Sequence, residues 1–334
     1  MRKVIFWLHL TAGVVAGLVI LMMSVTGVLL TYEKQMIAWA DRSDAALPPT
    51  ATTARLPIDA LVEAARQGDT SVAVTGMTLS AVPGAPALAT AGPRTLTLNP
   101  YTGAVLGESA PRMRAFFRSV TAWHRYVATA GTSRPIGKAV TGWSNFLFLL
   151  IVVGGAYLWL PRRWSWAQVR AIAWFRSGLP GKARDFNWHN TIGLWCCVPL
   201  AVVIVGAMPI SFPWANVAVY RLVGEEPPAP AGQAAAGRGG RAGGPRAEAA
   251  PVQFEPLWQK AEQQAADWRT IGARIGGNGP VTFTIDRGYG GQPQLRGTLT
   301  VDRASGSVVR WETFESQSTG RRLRSFLRFA HTGE

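Results

Sequence analysis

The sequence predicts an α-helical membrane bundle with three spans, carrying two small α+β domains outside the bilayer. Three observations lead there. Three stretches read apolar for about twenty residues or more, the two segments that follow the first and third repeat one order of helix and strands, and 14 of the 334 residues are Trp. A composition of 48% hydrophobic residues excludes a disordered or collagenous chain. The two cysteines, adjacent at Cys196 and Cys197, supply neither a disulfide framework nor a CxxC metal site.

Residues 1–31 are the first expected span. Val4 to Leu30 carries no Asp, Glu, Lys or Arg, and a helix of that length reaches about 40 Å, enough to cross a hydrocarbon core of ~30 Å with tilt. A cleaved signal peptide is the competing reading, because Met1-Arg2-Lys3 resembles its basic start and Ala38-Trp39-Ala40 its cleavage site. The apolar run is about twice a normal signal core, and Glu33 and Lys34 intervene, so the span is preferred. Residues 32–122 then form the first extracytoplasmic domain, and 123–138 a His-led interfacial segment. The second span covers 139–160 and stops at Pro161-Arg162-Arg163, and the third covers 191–214.

The loop 161–190 carries Arg162, Arg163, Arg170, Arg176, Lys182 and Arg184 against one acid, Asp185. Short loops rich in Lys and Arg stay cytoplasmic, which also suits Arg2 and Lys3, so a multi-pass inner-membrane protein with a cytoplasmic N-terminus is expected. Trp7, Trp159, Trp164, Trp166 and Trp188 then fall at the inner boundary and Trp39, Trp123, Trp143 and Trp214 near the outer one, the usual place for interface anchors.

The two outer segments repeat. Leu56 to Gly107 gives a short amphipathic helix (Ile58, Leu61, Val62, Ala65), strand-like runs at 74–82 and 95–98, a turn Asn99-Pro100-Tyr101-Thr102-Gly103 and the strand Ala104-Val105-Leu106. Residues 215–330 repeat it: a helix with Leu257 and Ala261, strands at 281–285 and 297–301, a turn Asp302-Arg303-Ala304-Ser305-Gly306 and a strand from Val308 to Trp311. Each unit is too small for a large core and is expected to lean on its neighbour or the membrane. The insert 227–251 is low-complexity Gly, Ala, Arg and Pro; it reads as an inert linker, with neither a phosphate loop nor a nucleic-acid tract in a suitable context.

The repeat reaches into the spans. His9 is followed by Gly13 and His189 by Gly193, and each outer unit leads through an Arg- and Phe-rich approach to another histidine, His124 or His331. His124 precedes a span, whereas only 331–334 follow in the second copy, where a fourth helix would be expected. The chain holds four histidines, and all four fall at an expected membrane edge, His9 and His189 inside, His124 and His331 outside.

Two imidazoles on facing helices at one depth supply both axial positions of a haem iron. Gly13, Gly193, Gly154 and Gly155 would make room for a flat macrocycle or simply allow close helix packing. There is no HExxH, no Cys cluster and no carboxylate in the spans, so a zinc hydrolase, a carboxylate-bridged di-iron centre and a proton-coupled transporter lack their ligands or relay. The expected ligand pairs are His9 with His189 and His124 with His331. Cys196 and Cys197 read as small packing residues, with redox work the alternative.

Several motifs carry a family resemblance: Trp123-His124-Arg125, the run Gly154-Gly155-Ala156-Tyr157-Leu158-Trp159-Leu160-Pro161-Arg162-Arg163-Trp164, Asn187-Trp188-His189-Asn190 with Gly193-Leu194-Trp195, and His331-Thr332-Gly333-Glu334. In these the chain resembles the PepSY-associated transmembrane-helix proteins, also called PiuB-type iron-regulated membrane proteins, which include inner-membrane ferric-siderophore reductases. The resemblance implies PepSY-like periplasmic domains and a haem-containing membrane reductase with b-type haems at the four histidines. Two haems are implied, the outer one conditional on the helix that in such proteins follows His-Thr-Gly-Glu. The implied partners are the lipid bilayer, an inner electron donor and an outer acceptor such as a ferric chelate, with no nucleic acid. Residues 215–330, with 15 basic and 10 acidic side chains, carry a net +5 that would attract anionic chelates or lipid headgroups or simply be solvated. The rival expectation is a non-enzymatic anchored module that binds peptide or regulates a periplasmic protease.

Overall fold

The computed structural model describes residues 1–42, 46–50, 52–68, 73–161, 164–228 and 253–333. Most of the 227–251 insert, along with Arg162, Arg163 and Glu334, lies outside the described residues. The chain divides into a helical unit (1–31, 117–225 and 323–334) and a sheet unit (32–116 and 226–322).

Three helices are long and apolar enough to cross a membrane: α1 (Arg2–Thr31), α5 (Arg134–Trp159, the span counted from Gly131) and α7 (Gly181–Ser211). Their most apolar stretches have mean hydropathies of 2.4, 1.7 and 2.2, and Ala16 is the one residue of α1 shielded from the surroundings by protein. Helices of this length, apolar on their outer faces, take lipid as their solvent, so the chain is a membrane protein.

The boundaries differ from the sequence expectation in a physically simple way. An apolar run marks where the hydrocarbon begins, but a helix continues past it into water. Thus α7 starts at Gly181 rather than 191, and ten residues assigned to the basic loop are helical. It ends at Phe212, which Pro213 holds in an extended conformation (φ −121°, ψ 126°); Pro213 then opens α8 (Pro213–Arg221), so Trp214 lies beyond the span. Likewise α5 begins at Arg134, with Pro135 in its first turn.

In the helical unit α5 packs along both α1 and α7, which meet each other far less. Two polar contacts fix the heights. Arg2 of α1 donates to the carbonyls of Leu158 (2.7 Å) and Leu160 (2.5 Å), at the electronegative end of α5. Trp159 Nε1 of α5 donates to Asn190 Oδ1 of α7 (3.2 Å).

The basic loop contains α6 (Trp166–Ala173), whose N-cap Ser165 accepts from the Gln168 amide. Asn187, Thr191 and Trp195, successive turns on one face of α7, tie the following segment down. Asn187 accepts from the Arg176 amide and donates to the Ala171 and Trp174 carbonyls, Thr191 donates to Trp174 and Trp195 Nε1 to Ala173. Two further helices belong in part to this unit, α4 (Pro111–Tyr126) and α10 (Thr319–Thr332); a last pair, α3 (Ile58–Gly68) and α9 (Glu255–Gln264), lies in the sheet unit, as does α2 (Glu33–Ala40).

The two expected α+β units, each too small for a large core, lean on each other through one sheet. Strands β1 (Val74–Ser80), β2 (Ala87–Ala91), β3 (Arg94–Leu98) and β4 (Val105–Glu108) join β5 (Thr270–Arg274), β6 (Val281–Asp286), β7 (Arg296–Val301) and β8 (Val308–Thr313) in a single antiparallel sheet, ordered β4-β3-β2-β1-β5-β6-β7-β8. The repeats meet at β1 and β5, in the register Gly76↔Arg274, Thr78↔Gly272, Ser80↔Thr270. Pairing removes two open strand edges and merges two cores too small to stand alone. Ile58, Leu61, Met77 and Leu98 of the first repeat share one buried cluster with Trp258, Ile271, Phe283 and Leu299 of the second.

The two sheet helices also cap each other. Asp59 of α3 accepts from the amides of Phe254 (2.7 Å) and Glu255 (2.8 Å) at the start of α9, while Glu255 accepts from the Ile58 amide (2.6 Å) at the start of α3. The two expected turns share one geometry. Asn99 Oδ1 accepts from the amides of Tyr101 and Thr102, Asp302 Oδ1 from those of Ala304 and Ser305, and Gly103 (φ +74°) and Gly306 (φ +65°) close each turn in the left-handed region.

Candidate cofactor site

The four histidines come from four helices and meet as two pairs. His9 of α1 faces His189 of α7, with ring centroids 6.1 Å apart and planes at 83°. His124 of α4 faces His331 of α10, also at 6.1 Å, with planes at 41°. Each pair joins one copy of the repeat to the other.

Their heights follow from the sequence. His124 sits against Met23 of α1, and His331 against Val203 of α7. Met23 is 14 residues beyond His9, and Val203 is 14 beyond His189, so about 21 Å of helix rise separates the two levels in both copies.

Glycines seat the rings. A Cβ at Gly155 would lie 3.2 Å from Cε1 of His9, and one at Gly27 would lie 3.3 Å from Cε1 of His124. At Gly206 it would collide with the Leu327 carbonyl at 2.5 Å and meet Cβ of His331 at 3.0 Å. The four glycines expected to clear space for a macrocycle or to allow close helix packing meet different surroundings. Gly154 and Gly155 accommodate the His9 side chain, Gly193 faces Trp159, and nothing lies within 4 Å of a Cβ at Gly13. Gly27 and Gly206 went unnoticed in the sequence; their signal was their place one turn beyond Met23 and Val203.

Hydrogen bonds orient the outer rings. Nδ1 of His331 donates to the Val203 carbonyl (2.9 Å). Nδ1 of His124 lies 3.0 Å from both the Met23 carbonyl and Thr26 Oγ1; the Thr26 hydroxyl already donates to Met22 O at 2.7 Å, so Nδ1 is the donor here too. A proton on Nδ1 leaves the Nε2 lone pair available for coordination. His124, on a helix outside the three spans, is held below the usual imidazole pKa by burial and then by the neighbouring His331, which keeps it in the neutral, coordinating form. In the inner pair Nδ1 of His9 is buried without a hydrogen bond of good geometry, although the Ile151 carbonyl of α5 faces it.

The donor set is compatible with a haem. Two imidazoles ligating one metal from opposite sides, with bonds of about 2.0 Å, have centroids roughly 6 Å apart, the spacing of both pairs. Among the described residues no three His, Cys, Asp or Glu side chains gather, so neither pair gains a third protein ligand. A porphyrin brings its own four nitrogens and needs only the two axial positions. Cys196 and Cys197 are partly exposed free thiols on α7.

An α-helical membrane protein with an internal repeat and two cross-repeat histidine pairs is the class this geometry defines. The family described as the PepSY-associated TM region matches residues 6–334, and the chain belongs to that family. No curated protein matches it.

Proposed function

We propose that the protein is a haem-containing membrane reductase that passes electrons across the cytoplasmic membrane to an outer acceptor, a ferric siderophore. The observation that carries this reading is the pair of 6.1 Å imidazole contacts at two levels of one bundle. Haem b supplies reversible one-electron chemistry when bound.

The chain's own work is positional. His9 and His189 would hold the inner group, His124 and His331 the outer one. Val203 and Met23, through their carbonyls, fix the outer imidazoles in the coordinating tautomer. The spans exclude water between the two levels. Arg170, Arg176, Lys182 and Arg184, between α5 and the apolar part of α7, support placing the His9 end inside. Reduction of a ferric chelate at the outer end loosens its iron, because hard oxygen ligands hold Fe(II) less well than Fe(III).

The test is a reduced-minus-oxidised optical spectrum of protein purified from haem-replete cells. Soret and α bands of a low-spin b-type haem are expected. A colourless preparation with its helices intact would leave an anchored, non-redox sheet module as the reading.

A further inference from the structure

The corner between α4 and α5 gathers cations without acids. No Asp or Glu occurs between Glu108 and Asp185, and among the described residues Arg118, Arg125, Arg134 and Lys138, all exposed, enter no ion pair. The guanidiniums of Arg125 and Arg134 nevertheless converge, 5.4 and 4.1 Å from the centroid of the one Tyr126 ring. The backbone fixes them there. Val127 (φ +51°) and Ala128 (φ +55°) turn the chain through the left-handed region, which is costly for a β-branched residue. The Thr141 hydroxyl lies 3.0 Å from the Arg125 carbonyl, and the missing side chain of Gly137 admits the Tyr126 carbonyl. Like charges held together on a fixed corner concentrate anions.

Both helices segregate these charges from their apolar surface. On α4, Arg118 and Arg125 are seven residues apart and share a face, while the exposed Trp123 lies on the opposite one. On α5, Arg134 and Lys138 share a face one turn apart, while the exposed Ile136, Val140 and Trp143 form the other. The cations therefore point away from the faces where lipid would lie. An anion reaches them from water rather than on an acyl chain.

We propose that this corner binds the acceptor, and that the acceptor is a ferric chelate of net negative charge, held through carboxylate or phenolate oxygens by Arg125 and Arg134 with Arg118 and Lys138 beside them. A guanidinium pairs with a carboxylate through two parallel hydrogen bonds and with a phenolate through a charge-assisted one. A neutral chelate gains no such contact, so the corner selects by charge. The role of acceptor rests on the function proposed above, whereas the anion site rests on the corner alone. Arg125 directly follows His124, which places the chelate beside the outer histidine pair.

The experiment measures equilibrium binding of radiolabelled gallium(III) chelates, an anionic tricatecholate and a neutral trihydroxamate, to the full chain in phosphatidylcholine nanodiscs. Gallium(III) matches the charge of iron(III) and is not reduced, so binding is read apart from electron transfer. The wild type should bind the anionic chelate about tenfold more tightly than the neutral one, and added salt should narrow the gap. Arg125→Gln with Arg134→Gln should remove that preference, whereas Arg221→Gln with Arg328→Gln, which takes the same charge from α8 and α10, should keep it. Lys138→Gln, which spares both contacts to Tyr126, should weaken anionic binding about threefold and keeps the test open if the double variant does not fold. No charge preference in the wild type, or equal loss in the two double variants, would overturn the proposal. So would phosphatidylglycerol retained by the wild type and lost from the Arg125 and Arg134 variant without any chelate preference, the mark of a lipid headgroup site. Charge-selective binding by a haem-free protein would uphold the anion site and overturn the reductase reading; haem without charge-selective binding would do the reverse.

Discussion

At the scale of single residues, what distinguishes the histidines is the company each keeps. An imidazole against the spans is costly unless something takes up its polar atoms, and here backbone carbonyls serve Nδ1 of His124 and His331 while the two rings stand 6.1 Å apart. The residues were legible in the sequence because four histidines in 334 positions all fell at span edges in repeat-related places. Their hydrogen-bond partners were not legible, since a main-chain acceptor leaves no side-chain signature. Asp302 offers a different residue-scale test. The Ser305 amide and hydroxyl, with the Ala304 amide, stabilise its carboxylate and lower its pKa. A depressed carboxylate contributes stability above its unfolded pKa and loses it as the pH falls through the folded one. Hydrogen exchange at the Ala304 and Ser305 amides should therefore quicken only below the ordinary carboxylate range, and Asp302→Ala should abolish that pH step.

At the scale of elements, close approach decides the outer pair. A side chain at Gly206 cannot coexist with the present seat of α10 on α7, because even its Cβ would sit 2.5 Å from the Leu327 carbonyl. Gly206→Val should push α10 away and separate His331 from His124 while leaving His9 and His189 in place. Haem quantitation should show about half of the wild-type content. In the sheet unit the reciprocal caps predict a different kind of loss. Asp59→Ala leaves two amides of α9 without their acceptor and should cost about 1–2 kcal/mol in denaturant unfolding. Glu255→Ala, which uncaps α3, should cost a similar amount, and the double variant less than the sum because the two helices share one boundary. Sequence patterns revealed β1, β3, β4, β6, β7 and β8 but not β2 and β5. Those two read Ala-Leu-Ala-Thr-Ala and Thr-Ile-Gly-Ala-Arg, five residues each, the first with a single β-branched residue and the second broken by Gly272, and they are strands because both neighbours supply a ladder. Missing β5 hid where the two units join, at the pairing of β1 with β5.

At the scale of the molecule, the repeat organises both units. In the sheet it places β1 beside β5 and gives matching turns at Asn99 and Asp302. In the bundle it sets His9 and Met23 at the same 14-residue separation as His189 and Val203, which puts each imidazole level with its mate from the other copy. Two levels about 21 Å apart are what the proposed transfer of charge through a bilayer would use. Between the two levels α1, α5 and α7 carry no Asp or Glu side chain.

The most direct measurement of this arrangement is haem stoichiometry in purified wild-type, His189→Ala and His331→Ala proteins, each with its reduced spectrum and helix content. Two haems in the wild type and one in each variant, with the remaining haem still low-spin, is the result expected of paired ligation. Unchanged haem content in both variants, or no haem in a folded wild type, would contradict it.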